Sequence, residues 1–159
     1  MMWDKTANGT VNAAYRSRGI IIELDKEQDK VDRGKKTDAD TSECIRKNLV
    51  SAMRMGKPLV ICCKETLPDF EEKWKLDEKW GITWDEVFNY DEFRNKDNYM
   101  KLVKDSENYD SLVNKGKFEM DEAFSITFMC RYVKEDDFYK LLEKLPRHKE
   151  YKKVAITNV

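Results

Sequence analysis

The sequence predicts an α/β fold in which helices flank a parallel sheet, and three observations carry that prediction. The stretch Asp40 to Cys63 reads as a capped helix, a glycine stop and a buried strand. The continuous apolar run Leu59–Cys63 suits a strand covered on both faces rather than one, and Gly19–Leu24 is a second candidate for a buried strand. Such strands alternate with helix-period segments along 159 residues, a length that supports one domain, residues 1–159, with a real core.

Residues 1–17 are polar and small, with Asn8-Gly9 as a turn signal. Gly19–Leu24 is the first predicted strand, and the charged stretch Asp25–Lys36 after it holds a short helix before a loop through Thr37. Asp40 and Glu43 have the spacing of a capping box. Behind them Ile45, Leu49 and Met53 recur one turn apart, which draws an apolar stripe with Arg46, Lys47, Ser51 and Arg54 away from its centre. Gly56 supplies a left-handed stop and Pro58 blocks continuation, so Leu59–Cys63 begins afresh as a strand. Leu67-Pro68-Asp69 opens another helix with Phe70 and Trp74 inward, and Gly81 closes it. Thr83 with Glu86 repeats the capping pattern ahead of Trp84, Val87 and Phe88. A further helix is expected over Asp91–Glu107, burying Phe93, Tyr99, Met100 and Val103.

Gly116 marks a turn, and Lys117–Met120 reads as a short hairpin strand. From Phe124 to Cys130 the apolar residues Phe124, Ile126, Phe128 and Cys130 alternate with Ser125, Thr127 and Met129, the period of a strand. Asp136–Leu145 is helical with Phe138, Leu141, Leu142 and Leu145 inside, and Val154–Val159 forms a last strand.

Composition excludes several functions. Charged residues make up 38% of the chain, yet acids and bases nearly cancel to a net −1, without the basic excess of a nucleic-acid binder. No apolar run reaches membrane-spanning length, and the N-terminus lacks a signal peptide's apolar core. The four cysteines, Cys44, Cys62, Cys63 and Cys130, therefore read as reduced thiols of a cytoplasmic protein.

Chemistry-bearing motifs are sparse. A phosphate-binding loop needs glycines, then Lys and Ser/Thr, but the first strand exits into Asp25-Lys26-Glu27-Gln28, where acids would repel a phosphate. Glu65, beyond the central strand, does not fill the metal-and-base role of an ATPase alone. The single histidine, His148, lies in a basic tail, which leaves triads and zinc clusters unsupported. Cys62-Cys63 is a redox pair or, better, core packing, because neighbours on a strand point to opposite faces. Asp25 and Glu27 read as exposed carboxylates before metal ligands. The basic helix Asp40–Met55 has the composition of a calmodulin target, but its abrupt stop before a buried strand favours the core. No cofactor or metal is expected.

The order of these motifs resembles the fifth AAA+ module of dynein heavy chains. The matching stretches are Asn8-Gly9, Gly19–Asp25 with Gln28, Ile45–Cys63 with Gly56-Lys57-Pro58, Leu67–Asp69, Phe124–Phe128 and Val154–Asn158, collinear over residues 8–159. The chain departs from the family at Lys26 and Glu27, where the family has proline and glycine, and at a cysteine late in the central strand where it has glutamate. Residues 69–116 form a longer, more aromatic helical insert, and the lid is absent because the chain stops after the last strand. The resemblance implies an AAA+/P-loop-like sheet ordered as last strand, Gly19–Leu24 strand, Phe124 strand, Leu59 strand and an edge near Lys35–Asp38.

The resemblance also implies a scaffold rather than a motor. The expected function is a non-catalytic structural or docking subunit of a motile-cilium axoneme, bound to other proteins and to neither nucleic acid nor membrane. Its partner surface is expected on the insert, at Trp74, Trp80, Trp84 and Phe88, since aromatics are enriched in interfaces; their internal packing is the competing reading. The alternative function is a divergent nucleotide-binding enzyme using Asp25–Gln28.

Overall fold

The computed structural model describes residues 2–4, 10–63, 70, 73–131 and 134–156. The predicted α/β fold is present. Five parallel strands run in the order β2-β3-β4-β1-β5: β1 is Met2–Asp4, β2 Ile20–Glu23, β3 Pro58–Cys63, β4 Ser125–Arg131 and β5 Val154–Ile156. Two strand assignments change. Met2–Asp4, inside a stretch read as polar and turn-like, is a strand between β4 and β5. It takes the place expected for Gly19–Leu24, which pairs instead with β3 at the sheet's edge. The edge strand expected near Lys35–Asp38 does not form, because Thr37 caps a helix that starts at Asp38.

The chain path explains which face each helix covers. From β1 it crosses over β4 and β3 to β2 through helix α1, Thr10–Arg18, and every later crossover runs the opposite way along the sheet. Right-handed crossovers therefore put α1 on one face and the later segments on the other. The packing agrees. Tyr15 of α1 and Ile21 cover Val60, Cys62 and Met129, whereas Leu59, Ile61, Cys63, Phe128 and Cys130 face the large core. The continuous apolar run of β3 is thus buried on both sides.

Helix α3, Asp38–Met55, lays Ile45, Leu49 and Met53 on that core. Its capping box is real but begins earlier than expected: Thr37 is the cap, and Asp40 is its third-residue carboxylate. Gly56 ends the helix at φ 59, and a side chain there would also collide with the Asp121 carboxylate. Asp121 in turn donates its amide to the Met53 carbonyl at 2.9 Å, so the segment that enters β4 caps the end of α3.

Among the described residues between β3 and β4 lie four one-turn helices: α4 Asp77–Trp80, α5 Trp84–Phe88, α6 Tyr90–Phe93 and α7 Lys96–Tyr99, followed by 3-10 turns at Met100–Leu102 and Asp105–Glu107. The Thr83–Glu86 capping box forms as predicted. The long helix expected over Asp91–Glu107 does not, because Asn89 and Asn95 side chains accept from the amides of Glu92 and Asp97 and start new turns. Lys117–Met120 is not a strand; Tyr109 and Lys115 bridge instead. Helix α8, Glu135–Glu143, places Phe138, Leu141 and Leu142 inside as expected, with Leu145 just beyond it. The Asn8-Gly9 and Leu67–Asp69 signals, Glu65 and the tail after Ile156 lie outside the described residues.

Candidate docking surface

The tryptophans nominated as partner anchors organise the core. Phe70 is the hub, with ring centroids 5.1 Å from Trp84, 5.6 Å from Phe88, 5.9 Å from Phe128 and 6.4 Å from Trp74. Trp84 stacks on Phe88 at 5.3 Å and donates its indole N–H to the Trp74 carbonyl at 3.0 Å. Trp74 donates to Asp38 at 3.1 Å, which holds the insert to the first turn of α3. Trp74, Trp84 and Phe88 are buried, so for these three the expected partner surface gives way to the competing reading, internal packing. Trp80 is half-buried, with the Arg46 guanidinium 5.7 Å and the Lys79 ammonium 5.0 Å from its ring centre. The polar ends of the indoles find partners inside the domain, and that lets them act as core residues.

Two arginines on α3, two turns apart, hold the insert's far half. Arg46, placed away from the apolar stripe by its spacing, is fully buried. It donates to both oxygens of Glu43 and both of Glu107, and to the Leu102 carbonyl. The hydrogen bonds from Arg46, with help from Lys104, pull the Glu43 carboxyl down to about 2. Burial would raise Glu107, but its bonds to Arg46 and to the Lys104 amide outweigh that and lower it. Arg54 donates to the carbonyls of Tyr109 and Glu107 and lies 3.9 Å over the Tyr109 ring. These groups satisfy the insert's loop carbonyls, which would otherwise be left without strand or helix partners.

Beyond this clamp stands a loop, residues 109–115, that presents apolar side chains outward. Asp110 accepts from the amides of Leu112 and Asn114 and from the Asn114 side chain, at 2.8–2.9 Å. The bonds from Asn114 lower the Asp110 carboxyl. Val113 is forced to φ 66, a conformation that β-branched residues avoid. Leu112 is 80% exposed and Val113 70%. Sequence reading missed both. Their signal is the Asp-x-x-x-Asn spacing of a side-chain-pinned turn around two apolar residues.

The residues weighed for chemistry fall elsewhere. Asp25–Gln28 is not a strand-exit loop but the first turns of helix α2, Leu24–Asp32, at the sheet's edge. Glu27 is buried between Lys30 and Lys36, and those lysine bonds overcome its burial to lower its carboxyl. Gln28 bonds Asp32 and Lys73. Cys63 lies opposite Cys130 on neighbouring strands, both buried, and the Cys130 hydrogen bond together with burial raises the Cys63 thiol. Cys62 points to the other face, as strand geometry requires. Among the described residues no three His, Cys, Asp or Glu side chains gather as a metal site, and no helix is long and apolar enough to cross a membrane. No family model, curated protein or solved structure matches the chain.

Proposed function

We propose that this chain is a non-catalytic docking subunit of a larger protein assembly, in which the pinned Leu112–Val113 loop is the anchor. The single observation that carries the reading is an exposed apolar pair held rigid by Asp110 and braced through Arg54 on the core helix. Rigid apolar tips bind with little loss of conformational freedom, and a few such residues dominate interface energies. Strain at Val113 fits this use, since strained backbone clusters at binding and switch sites. The resemblance of the motif order to that of dynein AAA+ modules is the reason for proposing a motile-cilium axoneme as the assembly.

The test is recovery of partners from axonemal extract by the tagged chain beside its Leu112→Asp/Val113→Asp variant. The parent is expected to retain a stable partner that the variant, with an unchanged melt, loses. Equal recovery by both, or none by the parent, overturns the proposal. The nucleotide-binding alternative predicts that millimolar Mg-ATP raises the melting temperature, as any ligand of the native state must. No rise is expected.

A further inference from the structure

A small cavity of about 310 Å³ opens where the insert meets the start of α3. One wall is a single face of the helix, with Asp38 and Ser42 one turn apart. The other is the segment from Trp74 to Trp80, which adds both tryptophans and the lysines Lys75 and Lys79. The bond from the Trp74 indole to Asp38 joins the two walls at 3.1 Å. Trp74 is held there in the left-handed region, at φ 57, which a bulky residue rarely adopts. The volume is at the lower end for ligand pockets, which run roughly 300–1,000 Å³. It suits one large side chain with the groups next to it.

Its polar groups are incomplete. Ser42 is only 4% exposed and lines the cavity, yet its hydroxyl makes no hydrogen bond among the described residues. A buried hydroxyl left without a partner is costly, and native folds seldom keep one without use. Lys75 and Lys79 are exposed and form no ion pair among the described residues. The Lys79 ammonium stands 5.0 Å from the centre of the Trp80 ring. These three side chains call for an acceptor, and the two ammonium groups for a negatively charged one. Asp38 sets the opposite condition. One of its oxygens accepts from Trp74, and its carboxylate borders the same cavity, so a bare anion would meet a like charge. The start of α3 adds little pull of its own, because Thr37 and Asp40 already cap it. The occupant must therefore present an acid and a hydrogen-bond donor side by side, on an apolar body that packs against an indole.

We propose that the cavity takes the carboxyl-terminal aromatic residue of a partner protein. The terminal carboxylate meets Ser42, Lys75 and Lys79, the residue's own amide N–H donates to Asp38, and its ring packs against Trp80. A chain end is the one place in a polypeptide where a main-chain N–H, a carboxylate and a side chain share a single carbon atom. An internal Asp or Glu carries its acid without a ring beside it. Capture of a terminal carboxylate is a recurring mode of peptide recognition, and ring against ring adds geometric selectivity. The inference rests on the docking reading for the existence of a partner, but it uses a site separate from the Leu112–Val113 loop.

The probe is the N-acetylated tetrapeptide Gly-Ser-Gly-Trp with a free carboxyl terminus, titrated into the intact isotope-labelled chain and followed by amide and indole N–H chemical shifts. Shifts are expected at Asp38, Ser42, Lys75 and Trp80. Binding is expected to weaken roughly tenfold or more when the peptide ends in a carboxamide, when its last residue is Ala, or when the last amide nitrogen is methylated. A Lys75→Gln/Lys79→Gln chain should show the same loss. The peptide-side changes keep the test valid should that variant fail to fold. No shifts at about 1 mM peptide overturn the proposal. So does equal binding by the carboxamide or the methylated peptide, or reproduction of the shifts by acetate or inorganic phosphate. Tighter binding of free tryptophan than of the peptide also overturns it, since the site would then be one for an amino acid and not for a chain end. The Leu112→Asp/Val113→Asp chain should bind the peptide normally, so recovery from extract reports on the loop and the peptide titration on the cavity.

Discussion

Replacing Arg46 with alanine would take out the joint between the core helix and the insert. The guanidinium is fully buried and holds Glu43, Glu107 and the Leu102 carbonyl at once. Removing one partner of a buried pair costs about 3–5 kcal/mol, because the groups left behind stay desolvated. The acid side of the joint gives a similar size. A carboxyl that falls from 4.5 unfolded to about 2 folded, as Glu43 does, contributes about 3 kcal/mol at neutral pH. Because its folded value is the lower one, that stability is complete above about pH 4.5 and drains away as pH falls toward about 2. Glu107 is lowered too and adds to the same loss on acidification. The assay is urea unfolding of parent and Arg46→Ala at a series of pH values from neutral to acid. The parent should lose stability steeply in the acid window, and the variant should start about 3–5 kcal/mol lower and fall less. A variant within about 1 kcal/mol of the parent at neutral pH, or one with the same acid slope, would refute the reasoning.

Three further outcomes are expected. Trp84→Ala should cost about 3–5 kcal/mol in a thermal or urea melt, the usual size for a large core ring, and a variant as stable as the parent would place Trp84 outside the core. Val113→Gly should raise stability by roughly 1 kcal/mol, since glycine takes positive φ without penalty, while weakening recovery of partners; a fall in stability would show that Val113 is not strained. Ile61→Asp should abolish the cooperative melt, because an unpaired carboxylate would be buried on a central strand at a cost of several kcal/mol.

Local rules made the central helix and strands legible. Gly56, the Ile45–Leu49–Met53 stripe and the alternation from Phe124 to Cys130 each state their geometry within a few residues. Arg46 was misplaced because helix periodicity treats every charge as outward, whereas Glu107 and the Leu102 carbonyl, far along the chain, join Glu43 in making its burial tolerable. Met2–Asp4 was missed because three residues are too few to show a period; their strand is fixed by neighbours far along the chain. The docking surface was sought in the largest aromatic side chains, but aromatic rings contribute to core energetics as much as to interfaces. What the fold leaves outside is a modest pair, Leu112 and Val113, whose exposure depends on Asp110 closing the turn beneath them.

The position of β1 has a consequence for how the molecule is made. Its three residues are far in sequence from their partners, Met129–Arg131 and Val154–Ile156, whereas the other neighbouring strands are closer along the chain. The β2-β3-β4 half can assemble first from shorter loops, whereas adding β1 must overcome a larger loop entropy. Until then β4 carries an open edge on the ribosome or in a refolding tube, and such edges are what neighbouring chains join. Aggregation during expression should therefore depend on how quickly β1 reaches β4 and β5.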